Sequence, residues 1–265
     1  MSDDMVSTEV RNKHETREDE QFVRFNPVQR IEHALLIISF TALCVTGLPQ
    51  KFAQNDAAAW LIVTFGGIET TRLIHRFFAS MFVLQSFIHA GYIVVGVFRG
   101  HQRPSMVPGW KDVIDAVTTL RYCLGSVQKE PLYDRYDYRQ KFEYWGVVLG
   151  AVIMILTGVV LWFPAAMTRI LPGVLVPAAK EAHGGEALLA FLVIVIWHLY
   201  GTHLSPVRFP GDVCIFTGKL SRERMIEEHP LEYARALNVP VSELLGEEQE
   251  RASVPLTPGD QPSTV

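Results

Sequence analysis

Residues His183–Leu204 read HGGEALLAFLVIVIWHLYGTHL. A histidine opens the stretch, an almost uninterrupted apolar run follows, and a second histidine, His198, stands fifteen residues after the first. Ionisable side chains inside a membrane-length apolar helix are costly and mark function by default. On an α-helix fifteen residues rise about 22 Å and turn about 60° beyond whole turns, so both imidazoles share one broad face near opposite membrane surfaces. Such a pair suits one cofactor at each end.

Working outward, three more apolar runs of similar length stand at roughly Val28–Leu48, Leu73–Phe98 and Phe142–Phe163, with the fourth at Ala182–Leu204. Each approaches the ~20 residues that cross a bilayer. Of 265 residues, 49% are apolar and 20% charged, and segregation of the two classes reconciles these figures. The net charge of −4, without a basic run interleaved with aromatics, excludes nucleic acid as a partner. Residues 1–24 are polar and lack a secretory signal, so the first apolar helix is expected to remain as a span. Cys44, Cys123 and Cys214 form neither CxxC nor CxxCH, which excludes local zinc ribbons, iron–sulfur clusters and covalently attached haem.

Lys and Arg counts orient the chain, because cytoplasmic loops carry the excess. The connection Arg99–Lys141 holds eight, the segment before Ile31 five and the tail after Leu204 six, against two each in Pro49–Arg72 and Pro164–Ala182. The expected fold is therefore all-α: a four-transmembrane-helix bundle with both termini cytoplasmic. A polar segment (1–24) precedes the membrane domain (25–237), and a mobile tail (238–265) follows. AAAWLIVTFGG (Ala57–Gly67) is too short to span and reads as an outer interfacial segment. In Gly109–Leu124, Trp110, Val113, Ile114, Val117, Leu120 and Leu124 recur at helical spacing, which predicts a cytoplasmic amphipathic helix lying on the surface or receiving a partner.

The two halves align weakly. Arg30–Leu48 matches Lys141–Val160, setting Glu32 against Glu143, Thr46-Gly47 against Thr157-Gly158, and His33 against Tyr144. The second helix, with His75 and His89, matches the fourth, with His183 and His198. In the predicted topology His75 and His183 lie near the outer surface, whereas His33, His89 and His198 lie near the inner one. Neutral imidazoles from facing helices are what six-coordinate haem iron needs, and any such haem would be non-covalent. Zinc would need three or four gathered donors, and no cysteine or carboxylate is expected beside either cluster. A proton relay meets a purely apolar stretch between the clusters. His203, about 140° round from His198 on an α-helix, reads as interfacial, and His14, His101 and His229 as surface residues. Arg72 and Arg76 flank His75, and Arg30 precedes His33, positions suited to haem propionates or to lipid headgroups. Gly47, Gly91, Gly146, Gly150 and Gly158 allow close helix packing or clearance for a flat macrocycle.

Taken in order, RIEH, TGLP, RLIHRFF, RQKFEYWG, LTGVVLWFP, HGGEALL, WHLY, GKLS and EEHP resemble the di-haem cytochrome b subunits of the formate dehydrogenase gamma family, which includes hydrogenase and thiosulfate reductase cytochromes b. The resemblance covers about Arg24–Leu237. It implies two non-covalent b-type haems, the outer held by His75 and His183 and the inner by His33 and His198. His89 departs from this four-histidine pattern and competes with His33 as inner ligand; the residue-by-residue match favours His33. The fourth-helix step of fifteen also departs from the family's fourteen. A quinone pocket, for menaquinone or ubiquinone, is implied at the cytoplasmic start of the third helix, where Asp137, Gln140 and Arg139 are candidates.

The expected function is electron transfer across a bacterial inner membrane, between the quinone pool and an outer redox subunit. That subunit would be an iron–sulfur protein, hydrogenase, molybdenum enzyme or multihaem cytochrome c. Such a chain is an electron-transfer subunit and not a complete enzyme, since no nucleotide fold or substrate site is legible. The alternative is a membrane anchor or assembly subunit whose histidines are structural or bind a single haem.

Overall fold

The computed structural model describes residues 20–100, 103–206 and 208–244. His14, His101, most of the N-terminal segment and the tail beyond residue 244 lie outside the described residues. The chain divides into two compact units, one of Arg24–Pro104 and Phe142–Gly218, the other of Met1–Val23, Ser105–Lys141 and Lys219–Val265.

Four helices are long and apolar enough to cross a membrane: Pro27–Lys51, Ile68–Phe98, Tyr138–Trp162 and Leu175–Leu204. All four expected spans are present, and each except the third's C-terminal end reaches or exceeds its apolar window. Polar caps explain part of that extension. Before the first span, Asn26 Oδ1 accepts from Gln29 N (2.9 Å) while Gln29 Oε1 accepts from Asn26 N (3.0 Å), and Pro27 follows at the first helical position. At the third, Asp137 Oδ1 accepts from Gln140 N (2.8 Å) and Gln140 Oε1 from Asp137 N (3.1 Å), the same reciprocal box. At most 11% of any span's most apolar window is buried within the chain. Phe77, Phe87, Leu156 and Ile196 are among the large side chains left exposed, a surface suited to hydrocarbon and not to water. Between the first two spans, Asp56–Thr64 forms a short helix with Trp60 and Val63 exposed, matching the expected interfacial segment.

In the other unit, strands β1 (Gln21–Val23) and β2 (Lys219–Ser221) pair antiparallel with Phe22 opposite Leu220. Two short helices follow, Arg222–Glu228 and Pro230–Leu237. Tyr233, 1% exposed, is their centre: its hydroxyl accepts from Arg222 Nε (2.8 Å) and its ring meets Phe22 edge-on at 5.3 Å. The predicted amphipathic helix runs over Trp110–Cys123 with its polar side satisfied by protein. Asp112 accepts from Lys141 Nζ (2.8 Å), Asp115 from Lys111 Nζ (2.5 Å), and Thr119 bonds the Tyr133 hydroxyl (2.9 Å). Trp110, Val113, Ile114, Val117, Leu120 and Leu124 point outward and are exposed, the reverse of a water-soluble helix.

His229 departs from expectation. It is buried, and its Nδ1–H donates to the Asp134 carbonyl (2.9 Å), because the segment Tyr133–Arg135 folds against the Pro230 helix, where Leu231 N also donates to Tyr133 O (3.2 Å). Asp134 is further clamped by Arg235, and Arg135 by Glu232. Burial raises the Asp134 carboxyl pKa, but hydrogen bonds from Arg235 and the Arg135 N–H, with the Arg235 and Lys141 charges, outweigh it and hold the group below its ordinary 3.8. A depressed carboxyl contributes its stability above the ordinary pKa and loses it as pH falls through the folded value. Limited proteolysis should therefore cut this unit faster below about pH 4 than at neutrality. Asp134→Asn should show part of that acceleration at neutral pH, by no more than the ~1 kcal/mol of an exposed pair. Equal cleavage rates for the two proteins at both pH values would contradict this.

Candidate functional site

His75 and His89 of the second span and His183 and His198 of the fourth are each held through Nδ1 by a side chain of the span before them. His75 Nδ1 lies 2.9 Å from Thr46 Oγ1, and His183 Nδ1 lies 2.9 Å from Thr157 Oγ1. Both hydroxyls already donate their one proton to helix carbonyls, Thr46 to Ala42 O (2.7 Å) and Thr157 to Ile153 O (2.6 Å). Each must then accept from the imidazole, so the proton sits on Nδ1 and the lone pair on Nε2. His198 Nδ1 is 3.1 Å from Glu143 Oε2, an acceptor that fixes the same tautomer. His89 Nδ1 is likewise 2.9 Å from Glu32 Oε2, but its Nε2 is occupied by the Tyr144 hydroxyl at 3.1 Å. Both nitrogens of His89 are thus engaged.

The rings come in two facing pairs. The His75 and His183 rings are 6.4 Å apart between centroids at 70°, and the His33 and His198 rings are also 6.4 Å apart, at 40°. Two imidazoles on opposite faces of one metal, each bonded at about 2 Å, place their ring centres about 6 Å apart. Both pairs meet that spacing. The glycines supply clearance beside the His75 and His183 rings: a Cβ on Gly47 would stand 2.9 Å from His75 Cε1, and one on Gly158 3.4 Å from His183 Cε1. The donor set is two neutral nitrogens per site, which suits the axial positions of haem iron and not tetrahedral zinc. Among the described residues no group of three or more His, Cys, Asp or Glu is gathered for a metal ion. One expectation is corrected: carboxylates do accompany His89 and His198, because Glu32 and Glu143 reach across from the neighbouring helices.

The fifteen-residue step in the fourth span has a structural answer. Glu32 and Thr46, Glu143 and Thr157, and His75 and His89 are each fourteen apart, whereas His183 and His198 are fifteen apart. The fourth span is α-helical over Leu175–Leu192 and then turns π-helical over Val193–His198 and Tyr200–Leu204. Its wide turns show in i+5 bonds such as Ser205 N to Tyr200 O (2.8 Å). A π-turn takes up one residue more than an α-turn. The additional residue is absorbed before His198, which therefore meets Glu143 as His89 meets Glu32. The same widening narrows the angle expected between His198 and His203, and places His203 Nδ1 against Gly211.

The three candidate arginines separate. Arg72 is paired with Glu69 at 2.8 Å on an exposed turn, and Arg76 lies 5.6 Å over the Trp162 ring. Arg30 donates through Nη2 to Phe216 O, while its Nε is buried without a partner among the described residues. Asp137 and Gln140 are committed to the helix cap, and Asp137 Oδ2 also accepts from Arg139 Nη2 (2.8 Å) and Nε (3.1 Å). Thr46, Thr157, Glu32, Glu143 and Tyr144 were not singled out as functional by sequence. The signal for the glutamates and threonines is the half-to-half alignment, in which Glu32 stands opposite Glu143 and Thr46 opposite Thr157, whereas Tyr144 stands opposite His33.

Comparison with known proteins adds an independent line. A family model described as prokaryotic cytochrome b561 matches residues 11–109, which contain the first two spans. The cytochrome b556(Fdn) subunit of nitrate-inducible formate dehydrogenase from Escherichia coli K12 is 24% identical over 217 residues, covering 80% of this chain and 89% of that protein. The formate dehydrogenase cytochrome b556 subunit of Haemophilus influenzae is 24% identical over 196 residues, 71% of this chain and 74% of that one. The cytochrome b556(fdo) subunit of E. coli K12 formate dehydrogenase is 24% identical over 183 residues, 67% and 77% respectively.

Gly47→Val tests the clearance. The branched side chain must displace the His75 ring, so haem bound per purified chain should fall by about half while the other pair keeps its absorption bands. Full haem content in this variant would contradict the reading.

Proposed function

We propose that this relative of the prokaryotic membrane cytochromes b carries two non-covalent b-type haems and passes electrons across the bacterial inner membrane. His75 and His183 hold the outer haem, and His33 and His198 the inner one, with both termini cytoplasmic as the Lys and Arg distribution expects. The observation that carries the proposal is the pair of equal 6.4 Å imidazole separations, with Nδ1 pinned and Nε2 left as the donor in three of the four rings.

Bound haem supplies a one-electron ferric–ferrous couple. The chain's own residues do the rest. Thr46, Thr157 and Glu143 fix tautomer and ring orientation, so that Nε2 is presented without rearrangement. Arg30, one turn before His33 and with a buried Nε that has no partner among the described residues, is the cation we assign to an inner haem propionate. Arg72 and Arg76, already occupied by Glu69 and Trp162, are secondary candidates at the outer haem. The electron acceptor or donor on the inner side is a quinone of the menaquinone or ubiquinone class. Asp137 and Gln140 serve there first as the cap that starts the third span. On the outer side the relatives' names favour an oxidoreductase of the formate dehydrogenase type as partner.

His33 is assigned over His89 because His89 offers no free lone pair, held as it is between Glu32 and Tyr144. Haem content and low-temperature absorption of purified variants test this. His33→Ala, His75→Ala, His183→Ala and His198→Ala should each lose one haem of about two, and His89→Ala should keep both. Loss of a haem in His89→Ala with retention of both in His33→Ala would reverse the assignment. Retention in all five would favour a membrane anchor with structural histidines.

A further inference from the structure

The two haem sites differ in what stands behind their ligands. At the His75–His183 pair both imidazoles donate to threonine hydroxyls at 2.9 Å. At the His33–His198 pair, His198 donates to a carboxylate, Glu143 Oε2 at 3.1 Å, and His33 has no hydrogen-bonding side-chain partner among the described residues. Glu143 is the residue that the internal alignment sets against Glu32, whose carboxylate holds His89 at 2.9 Å. The chain thus keeps a glutamate behind each second-position histidine, but only the His198 copy bears on a ligand.

An axial imidazole that donates to a carboxylate becomes a stronger base than one that donates to a neutral hydroxyl, and hydrogen bonding around the ligands tunes a metal's potential. Greater electron donation stabilises the ferric state over the ferrous one. Glu143 also sits on the third span, across from the fourth, so it reaches His198 without contributing a ligand itself. Its side chain is only 20% exposed, so the interaction is weakly screened.

We infer that Glu143 is a positioning residue that sets the potential of the inner haem, holding it lower than a neutral partner would, and that the outer haem is tuned independently through Thr46 and Thr157. The inference rests on the proposed ligand pairs. Its consequence is that the two haems need not share a potential although the two halves of the chain repeat each other.

Spectroelectrochemical titration of the purified full-length chain tests it, with the inner haem defined as the one missing from His198→Ala. Glu143→Gln keeps size and shape but replaces the carboxylate by a neutral amide. It should shift the inner midpoint upward and leave the outer one in place, while Glu143→Asp should restore most of the original value. Thr157→Val should leave the inner midpoint unmoved. An unmoved inner midpoint in Glu143→Gln, or an equal shift of both haems, overturns the inference. If Glu143→Gln loses haem, the Glu143→Asp midpoint decides: a value near the original supports the role, and one displaced equally with the outer haem contradicts it. Failure of the ligand assignment is read separately, as retention of both haems by His198→Ala.

Discussion

An imidazole inside a bilayer-length helix has no water to satisfy its ring nitrogens, and the arrangement of the four spans follows from meeting that demand. In this chain the first and third spans supply the acceptors for the rings of His75, His89, His183 and His198 on the second and fourth, while His33 stands on the first span itself. Thr46 and Glu32 stand fourteen residues apart on one helix, Thr157 and Glu143 fourteen apart on the other. Those intervals fix the depth at which His75, His89, His183 and His198 can sit. The same bonds set the tautomer, which decides which nitrogen is left to act as a ligand.

The internal repeat gives this scheme its economy and its asymmetry. Each half carries threonine–histidine and glutamate–histidine contacts in matching positions. At the position where one half has His33 the other has Tyr144, and that exchange separates two otherwise equivalent sites. His33 faces His198 across a metal-sized gap of 6.4 Å between ring centres. Tyr144 instead closes directly on His89 at 3.1 Å, filling the space with a hydrogen bond. The π-helical stretch ending at His198 keeps the fourth span in phase with the second despite its additional residue.

Much of this is legible in the amino-acid sequence. Four apolar runs separated by charged connections fixed the span number, and the spacing of Trp110, Val113, Ile114, Val117, Leu120 and Leu124 marked the amphipathic helix that forms over Trp110–Cys123. The histidines stand out because they recur within those runs at matched positions, His75 and His89 in the second and His183 and His198 in the fourth. Less visible were the groups behind them. Thr46 and Thr157 look like ordinary helix hydroxyls bonded to their own backbone, and Glu143 like a residue at a membrane boundary. Rotational phase on a regular α-helix could not anticipate the π-turns, nor that the cap of the third span would consume Asp137 and Gln140. His229 was hidden for another reason: a polar neighbourhood in sequence became a buried contact with the distant Asp134 carbonyl.

The central claim is that two imidazole pairs each present Nε2 to one iron. Iron and haem quantification of the purified, oxidised chain, combined with electron paramagnetic resonance, tests it most directly. The account predicts about two haems per chain, both low-spin ferric, as six-coordinate bis-imidazole ligation requires. A single haem, or a high-spin ferric signal from a five-coordinate iron, would contradict it.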